Sequence, residues 1–297
     1  MRADVRFQKQ GKAFWAHVRS ISEALGYTDR STKKIRTLTQ DGILKAFRKL
    51  GLSSSHLVSN GELSPLGANL CSYFEYRAAV LNDFVEPRLM NADQAKELYD
   101  ELKQKLQPSL AETLNKQSGE MKQVAYLTGL VNMIVESVVG ADGFNSNPGQ
   151  LTTFTSDQMP LRTLSRRVDG ALPGVVNPIA LWEIKEYYYT TTFGSRVADG
   201  VYETLLDGME LEEMREHEGR SIDHVLIIDA HFTWWVKGRS YLCRIIDMLH
   251  MGYVDEVIFG REVSERLPAL AVEWKNMAEN IKVLAEPQLK GDVEADT

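Results

Sequence analysis

The sequence predicts an α/β protein, a mixed central sheet flanked by helices, preceded by a helical N-terminal region. Three observations carry this. Apolar residues recur at helical spacing through most of residues 1–115. From about residue 116, helical patterns alternate with apolar strand-like runs in the order helix, strand, strand, helix, strand, helix, strand. Hydrophobic residues at 43% and charged residues at 25% suit a chain with a proper core. The expected division is a helical region over 1–115 and an α/β core over 116–297.

Phe14, Trp15, Val18, Ile21 and Leu25 share one helix face, so a helix is expected over Phe7–Leu25, closed by Gly26. Gln40–Leu50 reads as a second helix ended by Gly51, and Ser53–Asn60 as a polar loop. Ser64-Pro65 is an N-cap followed by proline at the first helical position, opening a helix that runs to Phe84. Asn91–Gln104 is helical, and Pro108 opens a short helix containing Glu112. A long apolar helix is expected from Ser118 to Gly140, followed by a loop over Ala141–Gln150.

The core strands follow. Leu161–Leu172 and Pro178–Tyr187 are expected strands, joined across Pro173-Gly174 and Asn177-Pro178, both turn formers. Ser195–His217 is a helix, Ile222–Asp229 a buried strand, Lys237–Met251 an amphipathic helix and Asp255–Gly260 another strand. A helix over Ser264–Asn280 and a strand over Ile281–Leu284 complete the pattern.

No run of eighteen apolar residues occurs, and the start MRADVRFQKQGK lacks a signal-peptide core, so a cytoplasmic protein without a membrane partner is expected. The two cysteines, Cys71 and Cys243, read as reduced thiols. The formal net charge of -7 argues mildly against a general nucleic-acid binder. Charge near the phosphates matters more than the total, and Arg30–Lys49 holds seven basic residues, among them Lys33, Lys34 and Arg36, against Asp41 alone. The N-terminal helices therefore read either as a DNA-recognition subdomain or as a scaffold or dimerisation arm.

The chemistry concentrates between Arg166 and Arg196. The expected hairpin returns Asp169 beside Glu183, and residues two apart on a strand share a face, so Glu183 and Lys185 point together while Ile184 turns into a core. Two carboxylates this close repel unless a divalent cation holds them, and Mg²⁺ takes such oxygen ligands. Glu-x-Lys occurs four times, at 101/103, 120/122, 183/185 and 273/275. Only the third lies in an apolar strand with an aspartate across a turn upstream.

This constellation resembles the PD-(D/E)XK nuclease superfamily, which includes many type II restriction endonucleases. The resemblance covers about the C-terminal 60% of the chain, and it departs at Val168, where the superfamily usually has proline. It implies a restriction-endonuclease-like core and an Mg²⁺-dependent endonuclease that cuts double-stranded DNA to leave 5′ phosphates. In that reading Asp169 and Glu183 hold Mg²⁺ and Lys185 orients the attacking water. Glu136, on the preceding helix, is a further candidate metal ligand by resemblance; simple exposure is the other reading.

Arg166 and Arg167 can contact phosphate or pair with the acids. Tyr187 and Tyr188 read as DNA contacts or as a sheet or dimer surface, and Arg196 and Lys237 as backbone contacts. Asp229 and His231 are expected to share a structural hydrogen bond. No zinc spacing, Walker loop or GxGxxG appears, so no nucleotide cofactor is expected. A restriction enzyme of this kind implies a homodimer on a palindromic site. A repair or defence nuclease reading structure or modification, and a DNA-binding regulator with a degenerate nuclease core, stay open.

Overall fold

A computed structural model describes residues 1–8, 10–115, 122–189 and 194–291, with the side chains of residues 195–196 and 282–291 outside that description. The N-terminal region holds α1 (Lys12–Leu25), α2 (Gln40–Leu50), a small hairpin of β1 (Val58–Ser59) and β2 (Glu62–Leu63), and α3 (Pro65–Ala79). The Thr39 hydroxyl accepts from the amide of Gly42, and Gly51 takes the left-handed conformation, so α2 has the expected bounds. α1 begins later than expected, because Phe7 sits in a turn closed by Asp4 and buries its ring edge-on to Tyr73 at 5.1 Å. The polar stretch expected to be only a loop contains the hairpin, whose turn residues Asn60 and Gly61 both have positive φ. α3 runs on as a π-helical turn over Val80–Val85 and a 3₁₀ turn over Glu86–Arg88.

The rest of the chain contains α4 (Ala92–Leu106), α5 (Tyr126–Val139), β3 (Thr153–Ser156), β4 (Met159–Thr163), β5 (Gly170–Leu172), β6 (Ala180–Glu186), α6 (Ser195–Glu218), β7 (Asp223–Asp229), α7 (Arg239–Met251), β8 (Glu256–Phe259) and α8 (Glu262–Gly291). The central sheet has the order β5-β6-β7-β8. β5 and β6 are antiparallel, and β6, β7 and β8 run parallel with α6 and α7 as the crossovers. The class is therefore mixed α/β, with a mixed sheet between helical layers.

Side-chain alternation decides what each face meets. Ala180, Trp182 and Ile184 of β6, with Val225, Ile227 and Ile258, bury against α4, α5 and α8. Leu226, Ile228, Val257 and Phe259 bury against α7, and Leu181 packs with Leu211 and Met214 of α6. Both faces are covered, as parallel sheets require. Trp182 and Trp274 stack with ring centroids 5.4 Å apart, fixing α8 to β6.

Four further expectations change. The strand expected over Leu161–Leu172 is two: β4 turns away to pair with β3, and β5 starts afresh at Gly170. Residues 109–115 form no helix, since Glu136 takes the amides of Ser109 and Leu110 and the chain at 113–115 bridges to 123–125. The long helix starts at Tyr126; part of the stretch from Ser118 lies outside the described residues. The strand expected over Ile281–Leu284 is the continuation of α8.

The N-terminal helices join the core through a buried polar network. Arg77 donates to both carboxylate oxygens of Asp247 on α7, at 2.9 and 3.1 Å, and to the Ser22 hydroxyl at 3.2 Å; the Tyr73 hydroxyl donates to the same carboxylate at 2.6 Å. Arg77 is 1% exposed and Asp247 5%. Among the described residues no helix is long and apolar enough to cross a membrane.

Candidate functional site

Gly170 pairs with Trp182 in the antiparallel register, which sets Asp169 across from Glu183. The backbone confirms the placement: the Asp169 amide donates to the Trp182 carbonyl at 3.1 Å, and its Oδ2 accepts from the Ile184 amide at 2.9 Å. Glu183 and Lys185 turn away from Trp182 and Ile184, toward α6. Glu183 is 0% exposed and Lys185 8%. The expected grouping of Asp169, Glu183 and Lys185 on one face of the hairpin is what the fold provides.

α6 brings two further acids that sequence reasoning missed. Glu203 and Asp207, one helical turn apart, reach over β6. Lys185 Nζ lies 3.0 Å from Glu183 Oε2 and 2.9 Å from Glu203 Oε2. Arg166, on the bend after β4, joins the same cluster. Its Nη1 donates to Asp207 Oδ2 at 2.6 Å, and its Nη2 donates to Glu183 Oε2 at 3.1 Å and to Glu203 Oε2 at 3.3 Å. Nη1 also lies 2.7 Å from Glu183 Oε1, an ion-pair contact without hydrogen-bond alignment. Of the two roles open to Arg166, pairing with the acids is the one it takes here.

Burial and charge oppose each other at Glu183 and Lys185. Burial pushes Glu183 up, but the Lys185 ammonium and the Arg166 guanidinium outweigh it and hold the carboxyl below the usual range. Burial pulls Lys185 down, but the charges of Glu183 and Asp169 win, so the ammonium holds its proton more tightly than a free lysine. Asp207 goes the other way: burial, then the nearby Glu183 charge, push it up to about 7 despite Arg166.

Glu136 does not join this cluster. α5 covers the Trp182 and Ile184 face of the sheet, whereas Glu183 and Lys185 point to the α6 face. The Glu136 carboxylate instead accepts from the Ser109 amide at 2.7 Å, the Ser109 hydroxyl at 2.5 Å and the Leu110 amide at 3.3 Å. The acid that does meet α5 is Glu186, which accepts from the amide and hydroxyl of Thr128 in the first turn of the helix. Burial drives Glu186 up to about 7 against those hydrogen bonds.

The remaining candidates scatter. Arg167 reaches the Gly149 carbonyl at 3.4 Å. The Tyr187 ring sits 5.6 Å from Trp234, and its hydroxyl lies against Gly200 of α6. Tyr188 donates to Asp229 Oδ2 at 2.5 Å, so its hydroxyl is turned to Asp229. Asp229 accepts from the Met90 and Ala230 amides; His231 is not its partner, donating its amide to the Met90 carbonyl. Lys237 lies over Phe232, and the Arg196 side chain lies outside the described residues. Lys33 and Lys34 are exposed at the N-terminal region, where Arg36 donates to the Thr28 carbonyl at 2.9 Å.

Among the described residues no three acidic, histidine or cysteine side chains already stand at metal-ligand spacing. The acids of the cluster are paired with Lys185 and Arg166, and their oxygens are of the kind a hard cation takes. Glu183 Oε1 and Asp207 Oδ1 are buried with no aligned hydrogen bond, leaving lone pairs to spare.

The chain belongs to the family described as Domain of unknown function (DUF7687), which matches residues 90–274. Residues 1–84 match a second family, Domain of unknown function (DUF7690). No curated protein and no solved structure matches the chain.

Proposed function

We propose that the chain is an Mg²⁺-dependent endodeoxyribonuclease with a PD-(D/E)XK-like core, cutting double-stranded DNA at specific sequences as a homodimer and leaving 5′ phosphates. One observation carries the reading: Asp169 faces Glu183 across an antiparallel pair while the Lys185 ammonium lies 3.0 Å from Glu183 on the same face. The antiparallel pair, crossover helix and parallel strand agree with the element order that the resemblance implies.

Asp169 and Glu183 would hold the cation, with Asp207 next to them on α6. Bound there, a divalent cation offsets charge on the phosphoryl oxygens and makes a bound water acidic. Lys185, kept protonated by Glu183 and Asp169, acts as a hydrogen-bond donor that orients a water or a phosphate oxygen, and not as the base. Arg166 balances Glu183, Glu203 and Asp207 in this arrangement; its guanidinium is also the group best suited to take a phosphate bidentately. Lys33 and Lys34, exposed on the N-terminal region, are further cations that would meet phosphate.

The test is incubation of the purified protein with unmodified phage and plasmid DNA, with Mg²⁺ or EDTA, beside Lys185→Ala. Discrete bands that need Mg²⁺ and vanish in the variant support the reading. Smearing with the same dependence keeps the nuclease and replaces sequence specificity by recognition of structure or modification. A second reading, a DNA-binding regulator with a silent core, draws on Arg166 already neutralising the acids. Intact DNA in every lane, with binding indifferent to EDTA, would favour it and sink the first.

A further inference from the structure

A cleft of about 480 Å³ opens where α1 and α2 meet α6 and α7, on the seam between the segments 1–84 and 90–274. Seams of this kind are where small-molecule sites are commonly found, and the volume lies within their usual range. It is far more than a lone inorganic anion fills.

Its lining combines three chemistries. Leu50, Leu205 and Met248 supply an aliphatic wall. Tyr27 and Tyr202 supply flat rings, Tyr202 being 52% exposed. Arg19 and Arg244 supply guanidiniums, and among the described residues neither reaches a carboxylate. Arg244 donates to the Tyr202 hydroxyl at 2.9 Å and to that of Tyr27 at 3.4 Å, while Arg19 reaches only the Met251 sulfur at 3.4 Å. Asp247, at the floor, is neutralised by Arg77. Glu23 is the remaining acid of the lining.

Two planar cations without a carboxylate partner, beside aromatic and aliphatic faces, call for a ligand that is flat and apolar at one end and anionic, with several acceptor oxygens, at the other. Guanidiniums match phosphate oxygens, and tyrosine faces stack on bases of any identity. Glu23 offers an acceptor for the amino group of a base edge. We propose that this cleft binds a nucleotide, its base against Tyr27, Tyr202 and the aliphatic wall and its phosphate on Arg19 and Arg244. The nucleotide is either free or one unit of a nucleic-acid strand. α6 carries Tyr202 to the cleft and its neighbour Glu203 to the acid cluster.

The proposal does not rest on the nuclease reading, and its test runs in EDTA so that cleavage plays no part. The probes are 2-aminopurine deoxyribonucleoside 5′-monophosphate and a short single-stranded oligonucleotide carrying one 2-aminopurine, whose fluorescence falls when the base stacks. Saturable quenching of the monophosphate, weakened about ten-fold or more by Tyr202→Ala and by Arg244→Gln, establishes a free-nucleotide site. Quenching of the oligonucleotide alone, with the same loss, establishes the strand as the source. Tyr202 is half exposed, so its truncation leaves the fold intact where Arg244→Gln disturbs it. No quenching of either probe, or quenching that Tyr202→Ala leaves unchanged, overturns the proposal.

Discussion

Gly170 lies directly under the indole of Trp182: a Cβ added there would stand 2.0 Å from Cε2 and 2.1 Å from Nε1. The indole cannot retreat, because Trp274 stacks on it. Gly170→Ala therefore has to push β5 off β6, carrying Asp169 with it. We expect a loss of about 1–3 kcal/mol by chemical denaturation, and loss of any Mg²⁺-dependent cleavage in the same variant. Unchanged stability would mean that the strand pair has slack that this packing does not show.

Glu186 and Asp229 stand side by side on β6 and β7, and burial pushes each up to about 7. Unfolded, these acids titrate near ~4.3 and ~3.9. A raised folded pKa means that the native state binds the proton more tightly, so this contribution is complete below about pH 4 and lost as pH climbs to about 7. Asp229→Asn keeps an acceptor for the Met90 and Ala230 amides but cannot titrate. Relative to it, the wild type should gain on the order of 3 kcal/mol between pH 7 and about pH 4, read by denaturant unfolding across that range. Parallel pH profiles for the two proteins would sink this assignment.

Glu136→Ala separates the resemblance from the structure. With its carboxylate tied to Ser109 and Leu110, truncation should lower stability by about 1 kcal/mol and leave cleavage at the wild-type level, whereas Glu183→Gln abolishes it. Cleavage lost in both variants would return Glu136 to the site.

The Arg77–Asp247 pair is buried, so its halves are not equivalent to surface charges. Asp247→Ala leaves a guanidinium stranded among Tyr73, Phe74 and Tyr27, at a cost of about 3–5 kcal/mol. Replacing both partners, as in Arg77→Met with Asp247→Leu, should recover most of that loss in the same denaturation experiment.

What the sequence disclosed was local. The run of β6 between turn formers, the i, i+2 placement of Glu183 and Lys185, and the bounds of α2 between Thr39 and Gly51 depend on neighbours in the chain, and they were legible. The β3–β4 hairpin was not, because exposed Leu161 read as the start of one long core strand, while the turn at Asp157 and Gln158 uses positive φ at residues other than glycine. Glu203 and Asp207 were hidden for the opposite reason. Acids one helical turn apart on a charge-rich helix resemble a solvated face, and only the docking of α6 on β6 buries Asp207 and brings Glu203 to Lys185. Glu136 depended on which side of the sheet its helix would cover, which no local pattern states.

Arg77 and Asp247 stand 170 residues apart in the chain. A ribosome adding roughly 5–20 residues per second takes roughly 10 to 30 s to cover that distance. Through that interval the three N-terminal helices are already translated, yet Asp247, the carboxylate that Arg77 pairs with in the fold, is not. The N-terminal helices are thus completed by a helix translated well after them, and until then water solvates a charge that the folded protein keeps dry.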